Sequence, residues 1–221
     1  MRRVVITGVG LVSPLGRDAD QVFAALMAGT SALTQHRIGE DEPGFDIVAG
    51  VCRDFDAVSA LGKPRARQMD RFSQLGAVAA LDAWNAAGLA ALPEDERSTI
   101  STHWGTGVGG TLTTEAGYRD LLRKNRAKIS PLSVVLGMSN AAAAHIAQFL
   151  TLGGPCLTYS VACASSAIAI GEALQRVRSG ATDLALAGGS DAPLSLGTVA
   201  AWHSLQILAP AQPNAASSCR P

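Results

Sequence analysis

The stretch that most constrains the fold is residues 157–180, which read LTYSVACASSAIAIGEALQRVRSG. The short β-prone run Cys156–Tyr159 leads into a helical pattern. The apolar positions of that pattern are spaced by 4, 3, 4 and 3 residues, as on one helix face: Cys163, Ala167, Ile170, Leu174 and Val177. Gly180 is typical of a helix end, and the positive charges of the arginines just before it are stabilised by the negative end of the helix dipole. Cys163 is therefore predicted where a strand turns into a helix N-terminus.

This position has a chemical consequence for the thiol. The free N–H groups and the positive dipole end of a helix favour a thiolate over a thiol, and the thiolate is the nucleophile. The small neighbours Ala162, Ala164, Ser165 and Ser166 leave room for a carbonyl group to approach. The alternative is an inert, buried cysteine that packs a helix against a sheet, since free cysteine is among the most buried residue types.

Strands alternate with helices along the chain. Apolar runs predict strands at residues 4–7, 98–104, Cys156–Tyr159 and 183–187. Helices are predicted from Asp18 to Gly29, from Asp70 or Ser73 to Gly88, and over residues 113–125 and 140–150. This alternation predicts an α/β fold with a mostly parallel sheet covered by helices on both faces.

Composition excludes several classes of protein. Of the 221 residues, 48% are hydrophobic and 16% charged, which excludes a disordered chain. The net charge of zero argues against nucleic acid or a membrane as partner, and we expect neither a signal peptide nor a membrane span. The four cysteines lack metal-ligand or disulfide spacing, so a cytoplasmic location is expected.

A glycine-rich loop follows the second predicted strand. Residues 105–110, GTGVGG, match the G-x-G-x-x-G pattern of dinucleotide-binding folds. Such a fold needs an acidic residue about 20 positions further on, and residues 124–131 contain none. Tight turns and close backbone packing explain the glycines better.

A nucleophilic cysteine needs a base or a positively charged neighbour. The four histidines are His36, His103, His145 and His203. His103 lies in an apolar strand and His145 in a helix, so we interpret both as packed structural residues. The sequence offers no clear base for Cys163.

Basic residues cluster in two short windows. Their members are Lys63, Arg65, Arg67 and Arg71, and then Arg119, Arg123, Lys124, Arg126 and Lys128. One interpretation is an ordinary solvated face. The other is a docking surface for an acidic protein, whose approach such charges would steer.

Several different short motifs are spread over nearly the whole chain. They are VVITGVG (4–10), SPLG (13–16), MDRFS (69–73), GTGVGG (105–110), Asn140 with HIA (145–147), GP (154–155), ACASSA (162–167) and AGGS (187–190). In this order they resemble the β-ketoacyl-[acyl-carrier-protein] synthases, which condense acyl and malonyl units. Val161 and Asp191 depart from the family pattern, which usually has threonine and glutamate there.

The resemblance implies a thiolase-like fold of two similar halves. Residues 1–221 would form the N-terminal synthase domain and stop before the second half, in which the family carries two catalytic histidines, a lysine and a gating phenylalanine. Cys163 would accept the acyl group, and Val108 and Met138 would line the acyl pocket near a dimer interface. No metal or organic cofactor is implied.

The implied partner is an acidic acyl carrier protein that brings acyl and malonyl thioesters. It would dock on Lys63, Arg65, Arg67, Arg123, Lys124, Arg126 and Lys128. A homodimer is expected, and a heterodimer is the alternative.

Three other functions stay open. The chain could be a non-catalytic acyl-pocket subunit like the chain-length factors, although these typically lack the cysteine. It could be a thiolase acting on coenzyme A thioesters, or an inactive truncated fragment.

Overall fold

The structure is a computed structural model, and it describes residues 2–39, 44–123, 128–210, 212 and 214–219. The helices are α1 (Ala19–Met27), α2 (Ala57–Leu61), α3 (Lys63–Ala66), α4 (Arg71–Ala86), α5 (Thr111–Leu122), α6 (Ser133–Gly137), α7 (Ala141–Leu150), α8 (Ser165–Ser179) and α9 (Leu196–Ser204). The strands are β1 (Leu33–Ile38), β2 (Phe45–Gly50), β3 (Ser101–Gly105), β4 (Cys156–Tyr159) and β5 (Ala185–Gly189).

The chain divides into two compact units. The first contains Met1–Leu11 and Asp56–Ala192, and the second contains Val12–Phe55 and Pro193–Pro221. The single synthase domain expected over residues 1–221 stays a prediction.

A parallel sheet lies at the centre of the first unit, with strand order β4-β3-β5. All of β3 is buried, as expected for a strand covered on both faces. The ring of Trp104 lies against Gly76 of α4, whereas the next residue, Gly105, lies against the start of α8. Because successive strand residues point to opposite faces, α4 and α8 cover opposite faces of the sheet. The predicted α/β architecture is confirmed.

Helix α4 shows how local signals set the ends of an element. The carboxylate of Asp70 accepts a hydrogen bond from the backbone N–H of Phe72 at 3.2 Å and thereby caps the helix. The other carboxylate oxygen accepts the N–H of Thr113 in α5 at 2.8 Å. Gly88, with φ of 73°, allows the left-handed turn after the helix. Of the two predicted caps, Asp70 is the correct one.

The N-terminal segment corrects one prediction. Residues 4–7 were expected to form a strand, but they have no strand partner among the described residues. Gly8 packs on the backbone of α4, and Arg2 forms an ion pair with Asp183. Between these two anchors a groove of about 340 Å³ separates the segment from β5. Without a hydrogen-bonded neighbour an extended chain is not a strand, and the side chain of Ile6 is 84% exposed.

Helix α8 begins and ends near the predicted residues, but a different face packs on the sheet. The buried residues are the small ones, Ser165, Ala169 and Ala173. Ile170, which belongs to the predicted apolar face, is 52% exposed. Small side chains are required because the helix begins directly against the glycine ends of β3 and β5.

The second unit contains the antiparallel pair β1–β2, in register from Leu33 opposite Gly50 to Ile38 opposite Phe45. Ile47 and Ala49 of β2 form its core with Val199 of α9. Ser195 caps α9, a helix that the sequence patterns did not predict.

Across the described parts of the chain, no helix is both long enough and apolar enough to cross a membrane.

Candidate active site

Cys163 lies on the turn between β4 and α8, as the sequence predicts, and its side chain is exposed. The turn is closed by the N–H of Ala164, which donates to the carbonyl of Val161 at 3.0 Å. Ala162 has φ of 47°, a left-handed conformation that is uncommon for a residue with a side chain. Such strain persists only where the surroundings hold the backbone in place, and it is concentrated at functional sites.

Ser165 is the first residue that holds this turn. Its hydroxyl oxygen accepts the backbone N–H of Val161 at 2.8 Å. The same hydroxyl lies 2.7 Å from the carbonyl oxygen of Ala162 and 3.2 Å from that of Thr106, and it can donate to either. The buried serine therefore ties both sides of the turn to the loop that follows β3.

The start of α8 approaches the sheet more closely than any side chain would allow. A Cβ on Gly105 would lie 2.3 Å from the carbonyl carbon of Ser165. A Cβ on Gly189 would lie 2.6 Å from the Cβ of Ser166. These two glycines let the positive end of the helix dipole lie beside Cys163 at the carboxyl edge of the parallel strands.

Asp191 holds the glycine-rich loop from the other side. Its Oδ1 accepts the hydroxyl of Thr106 at 2.8 Å and the N–H of Val108 at 3.2 Å. Its Oδ2 accepts the N–H of Gly107 at 3.0 Å. These N–H groups are therefore not free to bind a pyrophosphate, which disfavours the dinucleotide-binding interpretation.

Val108 and Met138, the predicted pocket residues, lie on two segments that pack together. A Cβ on Gly109 would lie 3.2 Å from the Cα of Ser139, so the loop contacts the segment beside Met138. A Cβ on Gly107 would lie 3.5 Å from the carbonyl oxygen of Ala162. Val108 and Met138 are each partly exposed. The loop that contains Val108 thus contacts the turn that carries Cys163, and the segment beside Met138 contacts that loop.

His103 is a packed residue, as expected. Its Nδ1 lies 2.7 Å from the hydroxyl of Tyr159, and its Nε2 lies 3.1 Å from the hydroxyl of Ser101. Burial lowers the pKa of His103, with a smaller contribution from the nearby positive charge of Arg176. With both ring nitrogens engaged, the imidazole is poorly suited to act as a base.

The other three histidines also contact neighbouring residues. Burial lowers the pKa of His145, and a hydrogen bond with the backbone of Gln68 partly opposes this effect. The exposed ring of His203 lies 5.0 Å from that of Phe45 in the second unit. His36 lies near Arg53, and burial and that positive charge lower its pKa.

The predicted docking residues are only partly described. Lys63, Arg65 and Arg67 are exposed in and beside α3, and Arg123 and Lys128 are exposed after α5. Lys124 and Arg126 lie outside the described residues. The guanidinium of Arg65 lies 4.5 Å from the ring centroid of Phe149 and therefore has a packing role as well.

Sequence reasoning missed the polar residues that hold the turn that carries Cys163. Asp191 was noticed only as a departure from the usual glutamate, and Thr106 only as part of a glycine-rich motif. A carboxylate two residues beyond the end of a parallel strand is a possible signal, because it falls at the same sheet edge as the cysteine.

The comparisons with known proteins point in one direction. A family model described as "Beta-ketoacyl synthase, N-terminal domain" matches residues 1–221. The chain is 36% identical over 222 residues to Nodulation protein E of Rhizobium leguminosarum bv. trifolii, covering 100% of this chain and 53% of that relative. It is 30% identical over 220 residues to 3-oxoacyl-[acyl-carrier-protein] synthase 2 of Staphylococcus aureus (strain COL), with the same coverage.

Solved structures give the same result. A β-ketoacyl synthase from Burkholderia phymatum STM815 superposes with a TM-score of 0.83 at 28% identity, over 100% of this chain and 54% of that one. The ishigamide ketosynthase/chain length factor matches with a TM-score of 0.84 at 28% identity, over 95% and 52%. The chain thus spans about half the length of these relatives. Its fold is that of the thiolase-like ketosynthases, and the chain belongs to the β-ketoacyl synthase family.

Proposed function

We propose that Cys163 accepts an acyl group from an acyl carrier protein thioester, as the first step of a β-ketoacyl synthase reaction. The observation that carries the proposal is the exposed thiol on a strained turn at the positive end of α8. Membership of the family supports it, as does the similarity to 3-oxoacyl-[acyl-carrier-protein] synthase 2.

The first step is a thioester exchange. The sulfur of Cys163 attacks the acyl carbon, and the bond from that carbon to the carrier's sulfur breaks. The proton of the Cys163 thiol ends on the released carrier thiol, so the step consumes no other reagent. The backbone N–H of Cys163 supplies one of the donors that stabilise the developing oxyanion.

The second step forms the carbon–carbon bond in the complete enzyme. A malonyl thioester loses carbon dioxide, and the resulting carbanion attacks the acyl carbon and releases the Cys163 thiolate. This step needs proton handling and charge stabilisation, and His103, with both ring nitrogens engaged, is a poor candidate for either. We therefore expect the 221-residue chain alone to form the acyl-enzyme without condensing it with malonyl thioester.

The acyl chain would lie beside Val108 and Met138. Both side chains are apolar and partly exposed, their segments pack together, and the loop of Val108 contacts the turn that carries Cys163. An apolar chain leaving Cys163 in this direction would bury these residues together with its own methylene groups.

The acidic acyl carrier protein would dock on the two basic windows. The exposed charges of Lys63, Arg67, Arg123 and Lys128 support this assignment. Arg65, Lys124 and Arg126 complete the proposed set. A homodimer in the cytoplasm is part of the same proposal, with a heterodimer as the alternative.

A second candidate is a chain-length-factor-like subunit without catalysis of its own. The match to the ishigamide ketosynthase/chain length factor favours it. The exposed thiol of Cys163, on a turn held by hydrogen bonds, argues against this candidate, since a subunit that only shapes a pocket has no need of a thiol there.

Acyl transfer distinguishes the two candidates. The purified chain is mixed with acyl-[acyl carrier protein], and release of the free carrier thiol is followed in the unchanged chain and in Cys163→Ala. Release that Cys163→Ala abolishes supports the enzyme. Equal release in both, or none in the unchanged chain, contradicts it.

A further inference from the structure

We propose that Asp191 is a positioning residue for Cys163, and that it acts through Thr106 and the loop that follows β3. The proposal rests on the proposed function only where acyl transfer is the readout. The reactivity of the thiol itself tests it independently.

Asp191 reaches the loop from a backbone that is fixed to the end of β3. Beyond the end of β5, the N–H of Ser190 donates to the carbonyl of Gly105 at 3.0 Å, which continues the pairing of the strands. The hydroxyl of Ser190 accepts the indole N–H of Trp104 at 2.9 Å. The backbone just before Asp191 is therefore fixed to the end of β3, and the carboxylate points at the loop.

The carboxylate of Asp191 accepts hydrogen bonds from three donors. It accepts one hydroxyl and two backbone N–H groups, from Thr106, Gly107 and Val108. Hydrogen bonds to an ionised acceptor are about twice as strong as neutral ones. One exposed side chain thereby fixes three consecutive residues of a glycine-rich loop.

Thr106 is completely buried, and all its polar groups form hydrogen bonds. Its N–H donates to the carbonyl of Tyr159 at 3.0 Å, and its own carbonyl lies 3.2 Å from the hydroxyl of Ser165. Its hydroxyl donates to Asp191 and accepts the N–H of Gly109 at 3.0 Å. Thr106 thus joins the end of β4, the start of α8 and Asp191.

Ser165 and Gly107 connect this network to the turn that carries Cys163. Ser165, held by Thr106, also bonds the N–H of Val161 and lies within hydrogen-bond distance of the carbonyl of Ala162. Gly107, held by Asp191, faces that same carbonyl. Both routes end at Ala162, the strained residue immediately before Cys163. Loss of the carboxylate should let this turn relax and move the thiol away from the helix N-terminus.

The position of Asp191 separates this role from a merely structural one. Its side chain is exposed, so its removal leaves no buried cavity, and any loss of stability from the missing hydrogen bonds is measured separately by urea unfolding of each variant. Asp183, which lies just before the opposite end of β5 and pairs with Arg2, is a matched control.

The test uses Asp191→Ala, Asp191→Asn, Asp191→Glu and Asp183→Asn in the full 221-residue chain. Iodoacetamide alkylation is followed by peptide mapping, with the exposed Cys156 as internal reference. We expect the ratio of Cys163 to Cys156 rates to fall about tenfold in the alanine and asparagine variants. The glutamate variant should recover most of the rate, and Asp183→Asn should match the unchanged chain.

A coupling experiment tests the route through Thr106. Thr106→Val removes the hydroxyl, and Thr106→Ser keeps it. If Thr106 and Asp191 act along one path, the double variant Thr106→Val with Asp191→Ala should slow the alkylation of Cys163 little more than either change alone. If Thr106→Val does not fold, the Asp191 series with Asp183→Asn still tests the proposal, because those variants change exposed side chains.

One result would overturn the proposal: an unchanged ratio of Cys163 to Cys156 rates in Asp191→Ala, whether neither rate changes or both change by the same factor. Failure of the proposed function looks different. Cys163 would then respond to the Asp191 changes in alkylation but would accept no acyl group from the carrier protein.

Discussion

Gly105, the last residue of β3, lies directly against Ser165, the first residue of α8, and a Cβ at this glycine would stand 2.3 Å from the carbonyl carbon of the serine. This backbone-to-backbone approach fixes the helix N-terminus, and therefore Cys163, to the edge of the sheet. No side chain can be accommodated unless the helix moves.

We therefore predict that Gly105→Ala destabilises the chain by about 3 kcal/mol, because overpacking at a rigid contact forces the backbone to shift. Urea unfolding measures the effect. Gly171→Ala is the matched control, because Gly171 lies within α8 and a Cβ there meets nothing within 4 Å. The control should be more stable by about 0.5–1 kcal/mol, as expected for alanine in a helix. Equal stability of the two variants would mean that the contact is not tight.

The cysteines should differ in reactivity although Cys156, Cys163 and Cys219 are all exposed. Partial burial of its thiol group raises the pKa of Cys156, so this thiol carries less thiolate at neutral pH. We expect Cys163 to react first with iodoacetamide at pH 7.5, and the rate at Cys156 to rise only in more alkaline solution. Faster labelling of Cys52, Cys156 or Cys219 in the native protein would contradict the proposed role of Cys163.

Stability should fall in mildly acidic solution because of His103. Burial lowers its pKa in the folded chain below the ordinary value of 6.5, so the unfolded chain binds the proton first as the pH decreases. The stability that the fold gains from the neutral imidazole is fully present above about pH 6.5 and is lost as the pH falls through the lowered pKa. Urea unfolding between pH 7.5 and 5 should show this slope, and His103→Gln should flatten it. An equally steep slope in that variant would assign the effect to other groups, such as His145.

Docking of an acyl carrier protein should depend on charge and salt. Reversal of Arg67 or Lys128 to glutamate should lower the association rate, and added salt should reduce the difference, since exposed charges are screened beyond about 8 Å at physiological ionic strength. Arg65 is less suitable because its guanidinium also packs on Phe149. Stopped-flow binding to the chain measures the rates, with Arg37→Glu as a control outside both windows. Rates that ignore salt and both reversals would leave an ordinary solvated face as the explanation.

The sequence predicted the local features of this site well. Strand β4, the helix that follows it and its end at Gly180 are set by residues close together in the chain, and they were predicted almost to the residue. The Asp70 cap of α4 is a local signal of the same kind.

The features that failed depend on distant contacts. The hydrogen bond from Thr106 to Asp191 joins residues 85 positions apart, and no local pattern indicates it. The buried face of α8 follows from the glycines of β3 and β5 rather than from the helix's own apolar spacing. Residues 4–7 have the composition of a strand, but strand formation requires a neighbour that composition does not reveal.

The most direct test of the account is the mass of the chain after incubation with acyl-[acyl carrier protein], followed by peptide mapping. We predict a mass increase of one acyl group, located on Cys163, absent in Cys163→Ala and retained in Cys156→Ala. An acyl group on another residue, or an unchanged mass in a folded chain whose Cys163 reacts with iodoacetamide, would contradict it.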